Sequence, residues 1–200
     1  MARDKSPIVK QSRREGYALA PKAAKIMAKK SGIPCEHADM RVRGGSLYLV
    51  QLREKQKLRR LYGLLEKQFS KLMHEAQAAE GLTGENLLEF LERRADNAVY
   101  RAGFATTRRQ ARQLVSHGHF LLNGRRIDIP SIRLSAGDVL EVRPKSQKSE
   151  FFKSLPGQAS PLSWMKSDLK KMKIEITGKP KREEAEVGIN EQLIVEYYSR

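Results

Sequence analysis

Sulfur, aromatic rings and long apolar runs are all scarce in this 200-residue chain, and each shortage closes off a class of protein. A single cysteine, Cys35, has no intrachain partner, so a secreted disulfide scaffold is excluded. No apolar run approaches the ~18–20 residues of a membrane span, and no membrane partner is expected. The basic stretch Met1-Ala2-Arg3-Asp4-Lys5-Ser6-Pro7 has no apolar segment behind it and does not read as a secretory signal, so a cytoplasmic setting is expected. No Gly-rich phosphate loop, Ser/His/Asp order or His-Glu-x-x-His is present, which leaves no call for a catalytic residue, a cofactor or a small-molecule substrate. Cys35-x-His37 supplies two metal ligands where tetrahedral zinc needs four, so no metal is expected. Aromatics are 6% and apolar residues 40% of the chain, against ~45–50% apolar in an average domain, which predicts a small core.

Acid is also short. Lys and Arg number 39 against 23 Asp and Glu, a net charge of +16. Self-repulsion on that scale opposes compaction and calls for a polyanionic partner. The excess is segregated: +11 over residues 1–60, −3 over 61–100, +7 over 101–155 and +1 over 156–200. Two basic blocks flanking a mildly acidic one point to two contact surfaces rather than to a general solubility device.

Residues 1–45 lack sustained periodicity and hold Pro7, Pro21, Pro34 and Gly44-Gly45, which reads as a basic irregular arm with a short helix around Ala23 to Lys30. Such a segment orders on a partner. From Gln51 to Glu80 a helical period appears in Leu58, Leu61, Tyr62, Leu65, Phe69, Leu72, Met73 and Ala76, with Gly81 as its stop. Its first turns carry Arg53, Lys55, Lys57, Arg59 and Arg60 with only Glu54 nearby in sequence, a density that suggests phosphate contact. A second helix is predicted from about Glu85 to Arg101, with Leu87, Leu88, Leu91, Ala95 and Val99 inward. A third begins at Thr107-x-x-Gln110, the pattern of a capping box, and ends near Gly118. On it Ala111, Leu114 and Val115 share one arc, while Arg108, Arg109, Arg112, Gln113 and Ser116 share the other.

A hairpin follows, His119 to Leu122 and Arg125 to Ile129, joined by Asn123-Gly124, a pair suited to the positive φ of a type I′ turn. Val139 to Arg143 is a further strand, and Met172 to Ile176 another. Trp164 reads as core or as a base-stacking surface, and His117 and His119 as RNA contacts or hairpin packing. The apolar close Ile189, Leu193, Ile194, Val195, Tyr197, Tyr198 predicts docking back on the long helix.

Together these predict an α+β chain: a basic arm, 1–45; a helical domain, 46–92, closed by 165–200; and a small module, 93–160, of two helices packed on a short antiparallel sheet. The candidate RNA-contact set is Arg3, Lys5, Lys10, Arg13 and Arg14 in the arm and Arg53, Lys55, Lys57, Arg59 and Arg60 in the long helix. It continues with Arg108, Arg109, Arg112, Ser116 and His117 on the third helix and Asn123, Gly124, Arg125 and Arg126 at the turn.

The chain resembles the bacterial form of the small-subunit ribosomal protein four family. The resemblance rests on Ser12-Arg13-Arg14-Glu15-Gly16, Val50 through Lys57, Arg59-Arg60-x-Tyr62-Gly63, Thr83 through Leu88 and Asp96-Asn97-x-Val99-Tyr100-Arg101-x-Gly103-Phe104. Ala111 through His117, Asn123-Gly124-Arg125 and Ile189 through Ser199 extend it in the same order over nearly the whole chain. The region from about Arg94 to Leu155 looks like the RNA-binding module named after this family. The resemblance implies a primary binder of small-subunit ribosomal RNA that folds its 5′ domain, meets neighbouring small-subunit ribosomal proteins, lines a messenger-RNA channel and bears on translational accuracy. Repression of its own operon and antitermination are further roles attached to the family. Arg41 and Arg43 are the channel candidates. The usual Pro-Gly-Gln-His-Gly is absent, and Ser46-Leu47-Tyr48-Leu49 stands where Ser-Asp-Tyr-Gly is common. Relatives that bind zinc use four N-terminal cysteines, which this chain lacks.

Two other readings compete. An RNA-modifying enzyme of the pseudouridine synthase type carries the same module, and Asp96 is the one acid in a motif-like setting; the 45 residues after 155 are too few for its catalytic domain. A general cationic DNA binder does not account for the cap, the arginine arc and the Asn-Gly turn occurring together.

Overall fold

A computed structural model describes residue 4 and residues 6–30, 32–34, 46–155 and 162–199. In chain order come helices α1 (Ile8–Glu15), α2 (Pro21–Met27), α3 (Leu47–Leu61), α4 (Glu66–Ala78), α5 (Thr83–Glu92), α6 (Ala95–Arg101) and α7 (Arg108–Ser116). Strands β1 (Phe120–Leu122), β2 (Arg125–Ile127) and β3 (Val139–Val142) follow, then the one-turn helices α8 (Pro144–Gln147) and α9 (Glu150–Lys153). Strands β4 (Met165–Asp168) and β5 (Lys173–Ile176) and helix α10 (Glu191–Tyr198) complete the α+β fold. The chain divides into two compact units, Met1–Leu87 with Val187–Arg200, and Leu88–Glu186. Among the described residues no helix is long and apolar enough to cross a membrane.

In the first unit the described part of the arm is not irregular. It forms α1 and α2, each too short to display a repeating apolar stripe in sequence. Gly16 ends α1 in the left-handed region (φ 62°), and Pro21 starts α2 at its first turn. Buried Ser12 ties the two together, its hydroxyl donating to the Ile8 carbonyl (2.8 Å) and accepting from Leu19 N–H (3.2 Å). The long helix predicted over 51–80 is two helices. Tyr62 caps α3, Gly63 turns left-handed (φ 64°), and Leu64 N–H returns to the Arg59 carbonyl (3.0 Å). This break shifts the apolar register, so Leu64 is buried and Leu65 only half so. α10 lies along α3, with Gln51 donating to Glu196 (2.9 Å), Tyr48 against Tyr197 (ring centroids 5.7 Å) and Ile194 fully buried.

In the second unit the helix predicted over 85–101 is interrupted at Arg94, which is extended (φ −66°, ψ 140°) and bridges to Arg133. Freed from helix, the amides of Ala95 and Asp96 donate to the Ile132 and Pro130 carbonyls (2.9 and 3.2 Å). The sheet is antiparallel in the order β2-β1-β3-β5-β4. Residues 165–186, placed by sequence with the helical domain, therefore belong with the module: β5 pairs with β3, and β4 forms an edge. The core beneath includes Val99, Phe104, Ala111, Val115, Phe120, Leu140, Phe152, Ile174 and Trp164, the last 2% exposed. Trp164 is thus core and unavailable for base stacking.

Candidate nucleic-acid interface

The end of α7 and the hairpin meet on one face of the second unit. Thr107 caps α7, its hydroxyl accepting from Gln110 N–H (3.2 Å). The reciprocal half of the predicted capping box moves back one residue, because the Gln110 side-chain oxygen Oε1 accepts from Thr106 N–H and its hydroxyl (both 2.9 Å). Along α7, Arg109 is exposed, Arg112 is half-buried, and Ser116 and His117 are exposed. The Ser116 hydroxyl donates to the Arg112 carbonyl (2.8 Å) and serves its own helix.

Gly118 then takes φ 70°, a left-handed backbone that favours glycine. A methyl there would lie 2.4 Å from Nε of Arg126, so the β2 guanidinium rests across the end of α7. From the other side Arg143, past the end of β3, donates through Nη1 to the Gly118 carbonyl (3.0 Å). The His119 ring packs edge-on against Phe152 (5.9 Å), shares a hydrogen bond between Nδ1 and Ser146 Oγ (3.0 Å) and stands 6.1 Å from the His117 ring. Burial, then the charges of His117, Arg143 and Arg126, hold its pKa below the usual imidazole range. His117, His119, Arg126 and Arg143 thus form one cluster of basic side chains.

Asn123 and Gly124 have φ 48° and 79°, the sign pair of a type I′ turn. The Asn123 amide is a fastener: it donates to Asp138 Oδ1 (2.8 Å) and accepts from Val139 N–H (2.9 Å), tying the turn to the start of β3. Arg125 and Arg126 beside it are exposed.

Arg108 departs from its expected role. It lies seven residues, two turns, before Val115 and so points towards the core side rather than outward. Its Nε donates to Asn97 Oδ1 (2.9 Å), its Nη2 to Glu186 (2.6 Å), and its guanidinium covers the Tyr100 ring at 4.5 Å. Glu186 also meets Arg101 (3.4 Å); Arg101 forks onto Glu92 (3.0 and 2.7 Å), and Asn97 closes the ring on Glu92 (2.7 Å). Asp96, the one catalytic candidate of the enzyme reading, is 5% exposed, and both its oxygens are held by Arg94 (3.0 and 2.8 Å). A carboxylate so engaged has no access to a substrate.

In the first unit the cations of α3 find acids remote in sequence. Glu15, its side chain wholly buried, pairs with Arg60 and Arg53, and burial holds its pKa above the usual carboxylate range despite both guanidinium groups. Lys55, 4% exposed, pairs with Glu66 (2.6 Å) and covers the Tyr197 ring at 4.6 Å. Arg59 meets Gln56 (2.7 Å) and Glu66 (3.5 Å), and Lys57 meets Glu54 (2.7 Å) and the Gly188 carbonyl (3.0 Å). Lys55 is closed to any outside phosphate, and Lys57, Arg59 and Arg60 are largely covered; Arg53 keeps 38% of its side chain exposed.

The exposed cations lie instead on α1 and α2. Lys10 and Arg14 are expected there; Lys22 and Lys25 on α2, and Lys29 and Lys30 just past its end, join them from outside the candidate set, as does half-buried Arg143 in the second unit. Arg13 is half-buried and donates to the Gly32 carbonyl (2.8 Å). Lys22 and Lys25 lie either side of Ala23, the one buried residue of a seven-residue helix, a weak signal in sequence. Arg3, Lys5, Cys35, His37, Arg41 and Arg43 lie outside the described residues.

The family model described as the ribosomal protein S4/S9 N-terminal domain matches residues 3–92, and that described as the S4 domain matches residues 93–140. The chain is 48% identical over 207 residues to the small ribosomal subunit protein uS4 of Chloroflexus aurantiacus. It is 49% identical over 211 residues to the protein of that name from Herpetosiphon aurantiacus, and 44% over 204 residues to that from Chlorobium limicola. Each match covers all of both chains.

Proposed function

The chain belongs to the family of small ribosomal subunit proteins uS4, a structural ribosomal protein and not an enzyme, and we propose that it is a primary binder of small-subunit ribosomal RNA that nucleates folding of the 5′ domain. The observation that carries this is the convergence at Gly118, where exposed Arg126 and His117 and half-buried Arg143 gather at one helix end beside the Asn-Gly turn. Arg109, Arg112 and Arg125 extend that surface, and Lys10, Arg14, Arg53 and the α2 lysines supply a separate basic surface on the first unit. Phosphate oxygens are the natural ligands of such guanidinium and ammonium groups, while RNA shape supplies specificity, since side chains do not read the deep A-form groove.

With six to ten phosphates engaged, affinity falls roughly 10³–10⁵-fold between 50 and 200 mM salt by the duplex-derived rule. Neighbouring small-subunit proteins complete the setting, and the basic N-terminal region, with Arg41 and Arg43, is its part in guiding messenger RNA and in accuracy. The ribosome in the cytoplasm is the proposed location. The test is to crosslink the tagged chain in cells and sequence the RNA it carries. Small-subunit ribosomal RNA from the 5′ domain is the expected product; a predominance of transfer or messenger RNA would overturn the reading.

A further inference from the structure

Two of the four residues in the basic cluster at the end of α7 are imidazoles, and their surroundings give them a role that arginines alone would not need. His119 is packed against Phe152, and the charged groups acting on it are His117 at the C-terminal cap of α7, Arg126 on β2 and Arg143 beyond β3, while Nδ1 meets the neutral Ser146 hydroxyl. His117 faces solvent 6.1 Å away. In the free protein His119 therefore resists protonation. An anion placed over Gly118 reverses the balance, because it lies near all four groups and each proton taken up adds a charge-assisted hydrogen bond to it.

We infer that His117, His119, Arg126 and Arg143 form one phosphate subsite in which RNA binding is coupled to proton uptake by the imidazoles. The inference rests on the proposed RNA-binding role and adds its regulation. Arg126 and Arg143 give a pH-independent grip, and the histidines strengthen it as pH falls. Each imidazole whose bound pKa exceeds its free value by one unit tightens binding about tenfold between the two titrations. Binding to an RNA 5′-domain fragment should then strengthen by about ten- to a hundredfold from pH 8 to pH 5.5 at fixed ionic strength.

The test is filter binding of the full chain to that transcript across this pH range, repeated with His117→Gln, with His117→Gln plus His119→Gln, and with His74→Gln as a control on α4. The expected result is a slope of log K against pH that is reduced in the single variant, nearly abolished in the double variant and unchanged in the control. Since His119 packs on Phe152, circular dichroism checks the double variant; should it not fold, the exposed His117→Gln alone decides. In the wild type, calorimetry in two buffers of different ionisation heat reads the proton uptake directly. A flat pH profile, or a slope unchanged by His117→Gln and by the double variant, overturns the inference. Binding at pH 8 with a normal salt dependence would in that case leave the RNA-binding role standing, whereas no binding at either pH would remove the role itself.

Discussion

Removal of the Asp96 carboxylate should be among the most damaging single changes in the second unit. Arg94 and Asp96 are 6% and 7% exposed, and the guanidinium meets the carboxylate through a two-point fork of 3.0 and 2.8 Å. Asp96 Oδ1 also accepts from Asn97 N–H at 3.0 Å, in the first turn of α6. Asp96→Ala leaves a guanidinium with little access to water and no counter-charge, a change that costs about 3–5 kcal/mol. Against a typical domain stability of about 5–15 kcal/mol, that removes about a fifth or more of the total. Trp164 is the only tryptophan and is buried in the same unit, so its fluorescence reports this unfolding cleanly. In urea, with slopes of about 1–3 kcal/mol per molar, the midpoint should fall by roughly 1–5 M with the slope unchanged. Arg94→Met combined with Asp96→Leu should recover most of the loss, because it removes both charges and refills the space. A loss below about 1 kcal/mol in Asp96→Ala would refute the assignment of this pair as a buried structural lock. It would also reopen the acid for chemistry.

Gly118→Ala should lower stability by about 1–2 kcal/mol, from the left-handed backbone, and weaken RNA binding beyond that by displacing Arg126; thermal melts and filter binding separate the two effects. Lys55→Ala should destabilise the first unit by about 1–3 kcal/mol, read by circular dichroism, and leave the salt dependence of RNA binding unchanged. Glu66 is raised by burial but held below the usual carboxylate range overall by hydrogen bonds from Lys55 and Tyr198 and by the nearby Lys55 and Arg59 charges. Its contribution is therefore present above the unfolded carboxylate range, near pH 4.3, and is lost as pH falls through the lower folded value. Thermal melts from pH 6 to pH 3 should show the difference between wild type and Glu66→Gln shrinking with acidification.

The local signals were legible in the sequence. Asn123-Gly124 marked the hairpin, Thr107 the start of α7, and the apolar spacing of α4 and α5 their buried sides, because turn, cap and stripe are set by neighbours in the chain. What escaped depends on distant partners. The breaks at Gly63 and Arg94 come from chain reversal and from strand-like contacts to residues 130–134. β4 reads Met-Lys-Ser-Asp, with no alternation to announce it, and becomes a strand because β5 presents an open edge. The cations of α3 looked unmatched because Glu15 and Glu66 lie outside the helix. Arg108 was the avoidable error: its two-turn spacing from Val115 already placed it at the border of the core side.

The central claim is that the cations divide into those that hold the fold and those that hold RNA. Its most direct measurement is the slope of log K against log salt for a small-subunit 5′-domain transcript, with wild type, Arg126→Ala and Arg108→Ala all confirmed folded. Arg126→Ala should reduce the slope by about one, while Arg108→Ala should lower stability and leave the slope in place. A slope unchanged by Arg126→Ala, or reduced as much by Arg108→Ala, would contradict that division.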